Sequence, residues 1–514
     1  MLLYLIAATV CGFAPISPDH RQRELHAVRV QAPPSRPVLH FTPEKNWIND
    51  PNGLIWLDGE YHLFYQHNPF GDQWGHMSWG HAVSRDALAW EHLPIAIPEA
   101  DGVMAFSGTA VLDRENTSGF GKDGSPALVA VYTGHEANAK RQHQNLAFST
   151  DRGRTWTKYA GNPVLDLGEE NFRDPKVFWH APTGRWIMAV ALAAEKKALF
   201  YASPDLKNWT RLSAFGAQGQ RDVPNWECPD LFELPVEGEP GGTRWVLVVS
   251  AGGNGPTGGA GCQYFVGRFD GEQFVNDNPA ETVLWLDHGM DFYAFQSFAD
   301  APGGKRIGLA WMANPHYAGE TPTTPWRGSM TIPREFGLVR TAAGIRMTQK
   351  PMDGVRELLM ERGAKETVLE AREISEGITP AGAACDVAVI EAVFEVGSAE
   401  RFGLRVCDSG SEFTGVGYDV RSGEMYIDRH TSGRIGLHPR FPGRHAAAVS
   451  LGEGKRVTLT IVLDRGSVEA FDNDGLAAVT SLIFPETDAR AVSFFAEKGT
   501  VKLVRLRVVG LGGE

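Results

Sequence analysis

The chain has 514 residues, more than one ordinary hydrophobic core holds, so at least two domains are expected. With 43% hydrophobic and 22% charged residues its composition is that of a globular protein with a large core, not a disordered chain. A formal net charge of −13 repels nucleic acid and anionic membrane surfaces and leaves a neutral substrate as the natural partner.

Residues 1–28 open with MLLYLIAATVCGFA and turn polar at SPDHRQRE, which resembles a secretory leader that lacks a basic start. The expectation is a secreted or periplasmic protein, the rivals being a lipoprotein-type anchor at Cys11 and a cytoplasmic chain with a mis-set start. No later stretch has 18 uninterrupted apolar residues, so no membrane span is expected in the mature chain. The segment NWINDPNG, Asn46 to Gly53, reads as a tight turn, because Asn, Asp, Pro and Gly are turn residues and Pro51 biases Asp50 away from helix.

A repeat follows. Ser-x-Asp, with a Trp four or five residues after the Asp, occurs at Ser84 to Trp90, Ser149 to Trp156 and Ser203 to Trp209, each copy closing a strand-like run. A Ser/Asp turn with the Trp packed back on the sheet is the economical reading. The segments YHLFYQHN, PALVAVYTG, RWIMAVAL, RWVLVVSAGG and RIGLAWMAN are further strands at intervals near 60 residues, which predicts a five-bladed β-propeller over residues 38–345. The one helical stretch, DGVRELLMERG, falls in a linker at 346–365. Short alternating strands over 366–514 predict a C-terminal β-sandwich, making the whole chain all-β. DNDG at Asp472 to Gly475 reads as a hairpin turn, since the other ligands of a calcium loop are missing. The five cysteines, Cys11, Cys228, Cys262, Cys385 and Cys407, show neither disulfide-scaffold nor zinc spacing, and no metal or cofactor is expected. Oligomeric state has no signature in the sequence.

Three carboxylates stand beside Pro or Cys and an aromatic ring: Asp50 in WINDPNG, Asp174 in NFRDPKVF and Glu227 in NWECPDLF. Blade strands line a central channel, so acids far apart in sequence can converge on one axial pocket. Glycoside hydrolysis needs such a set, with one carboxylate at the anomeric carbon and one carboxyl to protonate the leaving oxygen. The bland alternatives are a salt bridge between Asp174 and Arg173 and a strand cap at Glu227. Trp47, Trp74, Trp79, Phe106, Phe172, Trp226, Tyr293 and Trp311 lie in or beside the same stretches and offer a sugar its apolar walls, while Asn49, Gln66 and Ser107 supply placed hydrogen bonds. Trp90, Trp156 and Trp209 are read as blade packing.

NWINDPNG, FRDP and WECPDLF, in this order, resemble the signature blocks of glycoside hydrolase family 32, the β-fructofuranosidases. FSGTAV, DFYAFQSF, GLAWMAN and PWRGSMTIPRE are similar to its later blocks, so the resemblance spans nearly the whole chain. It implies the same propeller and sandwich, with Asp50 as nucleophile, Glu227 as general acid/base and Asp174 stabilising the transition state. It also implies a retaining reaction that releases terminal fructose from fructans and sucrose, most like exo-acting levanases and exo-inulinases. Arg173 is expected to keep Asp174 ionised, Glu227 to have a raised pKa from Trp226, Cys228 and Asp50, and Cys228 to belong with the substrate-binding set. DFYAFQSF and the stretch Gly75 to Ser78 depart from the family's usual wording and bear on leaving-group specificity. Rival readings are a fructosyltransferase on the same acids, a non-catalytic fructan-binding propeller and an inverting five-bladed glycosidase.

Overall fold

The computed structural model describes residues 36–486 and 489–512. The leader and Cys11 lie outside the described residues. Among the described residues, apart from one α-helix, Val355–Glu361, and short 3-10 turns, the regular structure is β.

Five four-stranded antiparallel units make the blades; those of blades one and two each gain a short fifth strand, and those of blades four and five are joined into one eight-stranded sheet by a parallel pairing of Val236 and Glu237 with Leu338 and Val339. Their innermost strands are Asn46–Leu57, Met104–Asp113, Phe172–His180, Trp226–Glu237 and Tyr293–Ser297. An apolar cluster fills each gap between neighbouring blades. Phe64 and Trp79 meet Leu128 and Ala130 between blades one and two, and Val129 and Val131 meet Val177 and Met188 between two and three. Ile187 and Phe200 meet Trp226 and Leu247 between three and four, and Val246 and Val248 meet Phe295 and Ala310 between four and five. Ile48 and Leu63 meet Phe298 and Ile307 in the gap between blade five and blade one. Strands covered on both faces need continuous apolar runs, which is why Ala127–Glu136 and Arg185–Leu192 read as they do.

The Ser-x-Asp turns occupy the bend after the third strand of blades one, two and three. Each Ser hydroxyl donates to its Asp, at 2.8, 2.7 and 3.1 Å, and the next residue or two adopts a left-handed φ at Ala87, Arg152 and Leu206. Trp156 and Trp209 donate back to the turn carbonyls of Gly153 and Leu206, and Trp90 packs edge-on to Phe41. Blade four has an equivalent bend without the Ser and the Trp: in FDGEQF, Asp270 accepts from the backbone of Glu272 and Gln273, both at 2.8 Å, with Phe274 in the place of the Trp.

NWINDPNG is not a turn. It is the first two-thirds of the innermost strand of blade one, irregular between Ile48 and Pro51 and again between Asn52 and Ile55. Its glycine serves close packing, since at Gly53 the φ is 54° and a Cβ would stand 2.7 Å from the Phe64 ring.

Two six-stranded sheets form the sandwich. In the strand Val387–Glu395, Ala388, Ile390, Ala392 and Phe394 enter the sandwich core, whereas Val387 and Val389 face a second cluster with Leu39, Ile332, Val355 and Leu359. That strand is apolar on both faces because the propeller and the helix cover its outer one. A fully buried polar network crosses the same junction. His40 bonds Asp464 at 2.9 Å and Glu469 at 2.8 Å, and Arg334 bonds Glu469 and, at 2.9 Å, Asp287. Burial depresses the His40 imidazolium, but Asp464 and Glu469 outweigh it and push it up to about 9. Burial likewise raises Glu469, and Arg334 and His40 overcome this and hold it down at about 2.

Breaking a buried, fully bonded pair strands its partners' charges, so Glu469→Gln is expected to cost about 3–5 kcal/mol of unfolding free energy. The wild-type contribution of His40 is complete below its unfolded pKa of 6.5 and fades as pH rises through about 9; that of Glu469 is complete above 4.5 and fades as pH falls through about 2. Calorimetric unfolding across pH checks both, and an unchanged midpoint in Glu469→Gln contradicts the assignment.

Candidate active site

The innermost strands of all five blades break register near their starts: at Ile48/Pro51, Ala105/Gly108, Arg173/Lys176, Glu227/Asp230 and Tyr293/Gln296. A bulge bends its strand and re-aims the side chains on it. Three of the bulges carry proline, Pro51, Pro175 and Pro229, which has no N–H to lose from the ladder. Asp174, Cys228 and Ala294 sit at left-handed φ values of 66°, 46° and 55°. Such conformations cost about 1–3 kcal/mol for residues with a side chain and persist only where the surroundings enforce them.

The result is an axial cavity of about 340 Å³ into which Asp50, Asp174 and Glu227 all open. Asp50 accepts from Asn49 Nδ2 at 3.0 Å on Oδ1, and from Ser107 Oγ at 2.7 Å and Cys228 Sγ at 3.4 Å on Oδ2. Trp47 Nε1 in turn donates to Asn49 Oδ1 at 2.8 Å and so fixes which way that amide faces. Asp174 accepts from the Cys228 backbone N–H at 3.0 Å. Glu227 Oε1 accepts from Arg173 Nε at 3.1 Å and Nη2 at 3.0 Å, and Tyr293 donates its hydroxyl to Oε2.

Of the residues singled out by sequence, Asn49, Gln66, Trp74, Phe106, Ser107, Arg173, Tyr293 and Trp311 line this cavity. Trp74 is 53% exposed at its rim, edge-on to Phe106, and Trp311 presents an indole N–H that is buried and unpartnered. Cys228 lies beneath the floor, 2% exposed, between Asp50 and Asp174, and does not line the cavity. Trp79, Phe172 and Trp226 are not sugar walls but packing between blades. Side chains alternate along a strand, so Trp226, next to Glu227 in sequence, points away from it. Trp47, Pro315 and Ala318 complete the lining; Trp47 was visible beside Asp50, whereas the segment after GLAWMAN carries no local signal that it folds back over the axis.

The electrostatics also differ from expectation. Arg173 pairs with Glu227, and its Nε is 3.9 Å from Asp174. Glu227 therefore faces a guanidinium and a phenol in place of the apolar neighbours expected from Trp226 and Cys228. Arg173 does not keep Asp174 ionised: burial pushes that carboxyl up to about 7, with Arg173 opposing and Glu227 and Asp50 adding to it. Asp50 is also raised, by burial first, with the donors from Ser107 and Asn49 working against the shift. An acid that stays protonated in the folded chain but ionises when unfolded loses stability as pH rises from about 4 to 7. Asp174→Asn removes that loss. It is expected to be more stable than wild type by about 2–4 kcal/mol at pH 8, with the gap closing near pH 4, as read from denaturant unfolding at the two pH values.

Residues 40–351 match the family model for the glycosyl hydrolases family 32 N-terminal domain, and residues 357–510 match the family 32 C-terminal model. A levanase of Bacillus subtilis is 46% identical over 482 residues, covering 92% of this chain and 70% of that protein. An extracellular exo-inulinase of Aspergillus niger is 37% identical over 546 residues, covering 99% of this chain and 98% of the other. Among solved structures, the exo-inulinase of Aspergillus awamori superposes with a TM-score of 0.88 at 35% identity, covering 94% of this chain and 99% of that one. Two matching domain models in the order in which the propeller and the sandwich occur, and relatives alike over nearly the whole chain, establish that this protein belongs to glycosyl hydrolase family 32.

Proposed function

We propose that the protein is an exo-acting, retaining β-fructosidase that releases terminal fructose from levan or inulin and from sucrose. The observation that carries this reading is the meeting of Asp50, Asp174 and Glu227, from blades one, three and four, in one cavity. At about 340 Å³ the cavity is near the small end of ligand pockets, a size that suits a terminal sugar. The levanase and exo-inulinase relatives support the substrate class.

Asp50 is the nucleophile. Three donors on its two oxygens stabilise the carboxylate against burial and hold it in one orientation for attack on the anomeric carbon. Glu227 gives its proton to the glycosidic oxygen as that bond breaks, then takes one from the water that hydrolyses the fructosyl-enzyme. Arg173 and Tyr293 keep its carboxyl pointed at the leaving group. Asp174, ionised once the pH exceeds about 7, takes hydrogen bonds from fructose hydroxyls as positive charge develops on the ring. Trp74 and Phe106 at the mouth offer the leaving sugar a wall. In this reading the propeller is the catalytic domain, the sandwich is a separate domain beyond the helix Val355–Glu361, and the apolar leader exports the chain.

Incubation with levan, inulin, sucrose and raffinose is expected to yield free fructose as the only product from the polymers; longer oligomers would indicate endo action, and no release would overturn the reading. Longer fructosides formed from sucrose would favour the fructosyltransferase. Asp50→Asn is expected to lower kcat by about four orders of magnitude, the scale for a member of a catalytic unit, and near-normal turnover would refute its role as nucleophile.

A further inference from the structure

Arg173, Glu227 and Tyr293 form one bonded layer: a cation from blade three, a carboxylate from blade four and a neutral donor from blade five. Three residues further along the same strands stand Lys176, Asp230 and Gln296, and they form a second layer with the same order of chemistry. Lys176 Nζ is 3.1 Å from Asp230 Oδ2, 3.3 Å from Gln296 Oε1 and 2.9 Å from the Ser297 carbonyl. Asp230 Oδ2 also accepts the Ser297 N–H at 2.7 Å, and Gln296 Nε2 donates to the carbonyls of Cys228 at 3.2 Å and Pro229 at 3.4 Å. All three side chains are buried.

In a regular strand, residues three apart point to opposite faces. The bulges at Arg173/Lys176, Glu227/Asp230 and Tyr293/Gln296 insert the extra residue that returns both members of each pair to the axis. Asp174, Cys228 and Ala294, with their left-handed backbones, are clamped between the layers. We propose that Lys176, through Asp230 and Gln296, is a positioning residue for the hydrolysis: the lower layer sets where the Asp174 and Glu227 carboxyls stand. Lys176 shares a strand with Asp174, Asp230 shares one with Glu227, and Gln296 holds the carbonyl of Cys228, whose N–H binds Asp174. The charged groups facing Lys176 are Asp230 and Arg306; burial lowers the Lys176 pKa, Asp230 opposes this and Arg306 reinforces it. This inference rests on the roles given above to Asp174 and Glu227.

Lys176→Met is expected to lower kcat about 10–100-fold, the cost of an ångström-scale misplacement, with KM for sucrose changed little and the limbs of the kcat/KM pH profile displaced. Lys176→Met/Asp230→Asn restores neutrality. It is expected to recover the unfolding midpoint but not kcat, whereas recovery of kcat along with the midpoint would reduce Lys176 to a structural counter-charge and overturn the proposal. Gln296→Met strands no charge, so it decides the question by the same readings if Lys176→Met does not fold; wild-type kcat and pH profile in the variant that folds overturn the proposal. Glu227→Ala measured in parallel separates the two claims: if it keeps full activity the catalytic assignment fails, and if it is inactive while the Lys176 and Gln296 variants match wild type only the positioning layer fails.

Discussion

A strand that bulges leaves backbone groups without ladder partners, and on the axis of a propeller no bulk water is at hand to take their place. The family 32 propeller meets this demand with side chains from neighbouring strands and blades. Asn52 donates to the Asp50 carbonyl and accepts from the Gly108 N–H, Thr109 donates to the Pro175 carbonyl, and Gln296 donates to those of Cys228 and Pro229. Gln66 holds Ala105 and Trp79 holds Phe106, each through a backbone carbonyl. The bulges of blades two, three and four are thus pinned by a group from a neighbouring blade, and that of blade one by Asn52 of its own strand. The acids converge because the irregular backbone beneath them is satisfied at those points.

The cost of the convergence is electrostatic. Three carboxyls share a buried cavity with one guanidinium, and burial raises both Asp50 and Asp174. Left-handed backbone at Asp174, Cys228 and Ala294 adds strain. Stability comes from elsewhere: five apolar clusters between blades, and a junction with the sandwich where Arg334, Glu469, Asp287 and His40 are buried with their partners in place. An acid cluster that is poor for folding is tolerable on such a frame, and the same cluster is what an oxocarbenium-like transition state calls for.

Much of this was legible residue by residue. Asp50, Asp174 and Glu227 stand out because each combines an acid, a neighbouring Pro or Cys-Pro and an aromatic, a local wording that a bulged strand needs. The Ser-x-Asp turns were readable because their hydrogen bonds span only two to four residues. The fourth turn, at Asp270, escaped because Ser and Trp are not required once Asp caps the bend. The partner of Arg173 was misjudged for a related reason. Asp174 is next to it in the chain, but Glu227, 54 residues away, is next to it in space.

By itself the sequence determined the fold class, the family and three acids that meet in one cavity, since strand periodicity, turn chemistry and motif wording are local properties that survive without coordinates. Only the tertiary structure decided that NWINDPNG is a bulged strand and not a turn, that Trp79, Phe172 and Trp226 face the gaps between blades, and that Cys228 lies under the cavity floor. It also decided that Lys176, Asp230 and Gln296 lie in one layer. Register shifts between strands set which side of a sheet a residue faces, and contacts between blades set which charges meet; both are fixed by pairings between residues tens to hundreds of positions apart, which no short window of sequence contains.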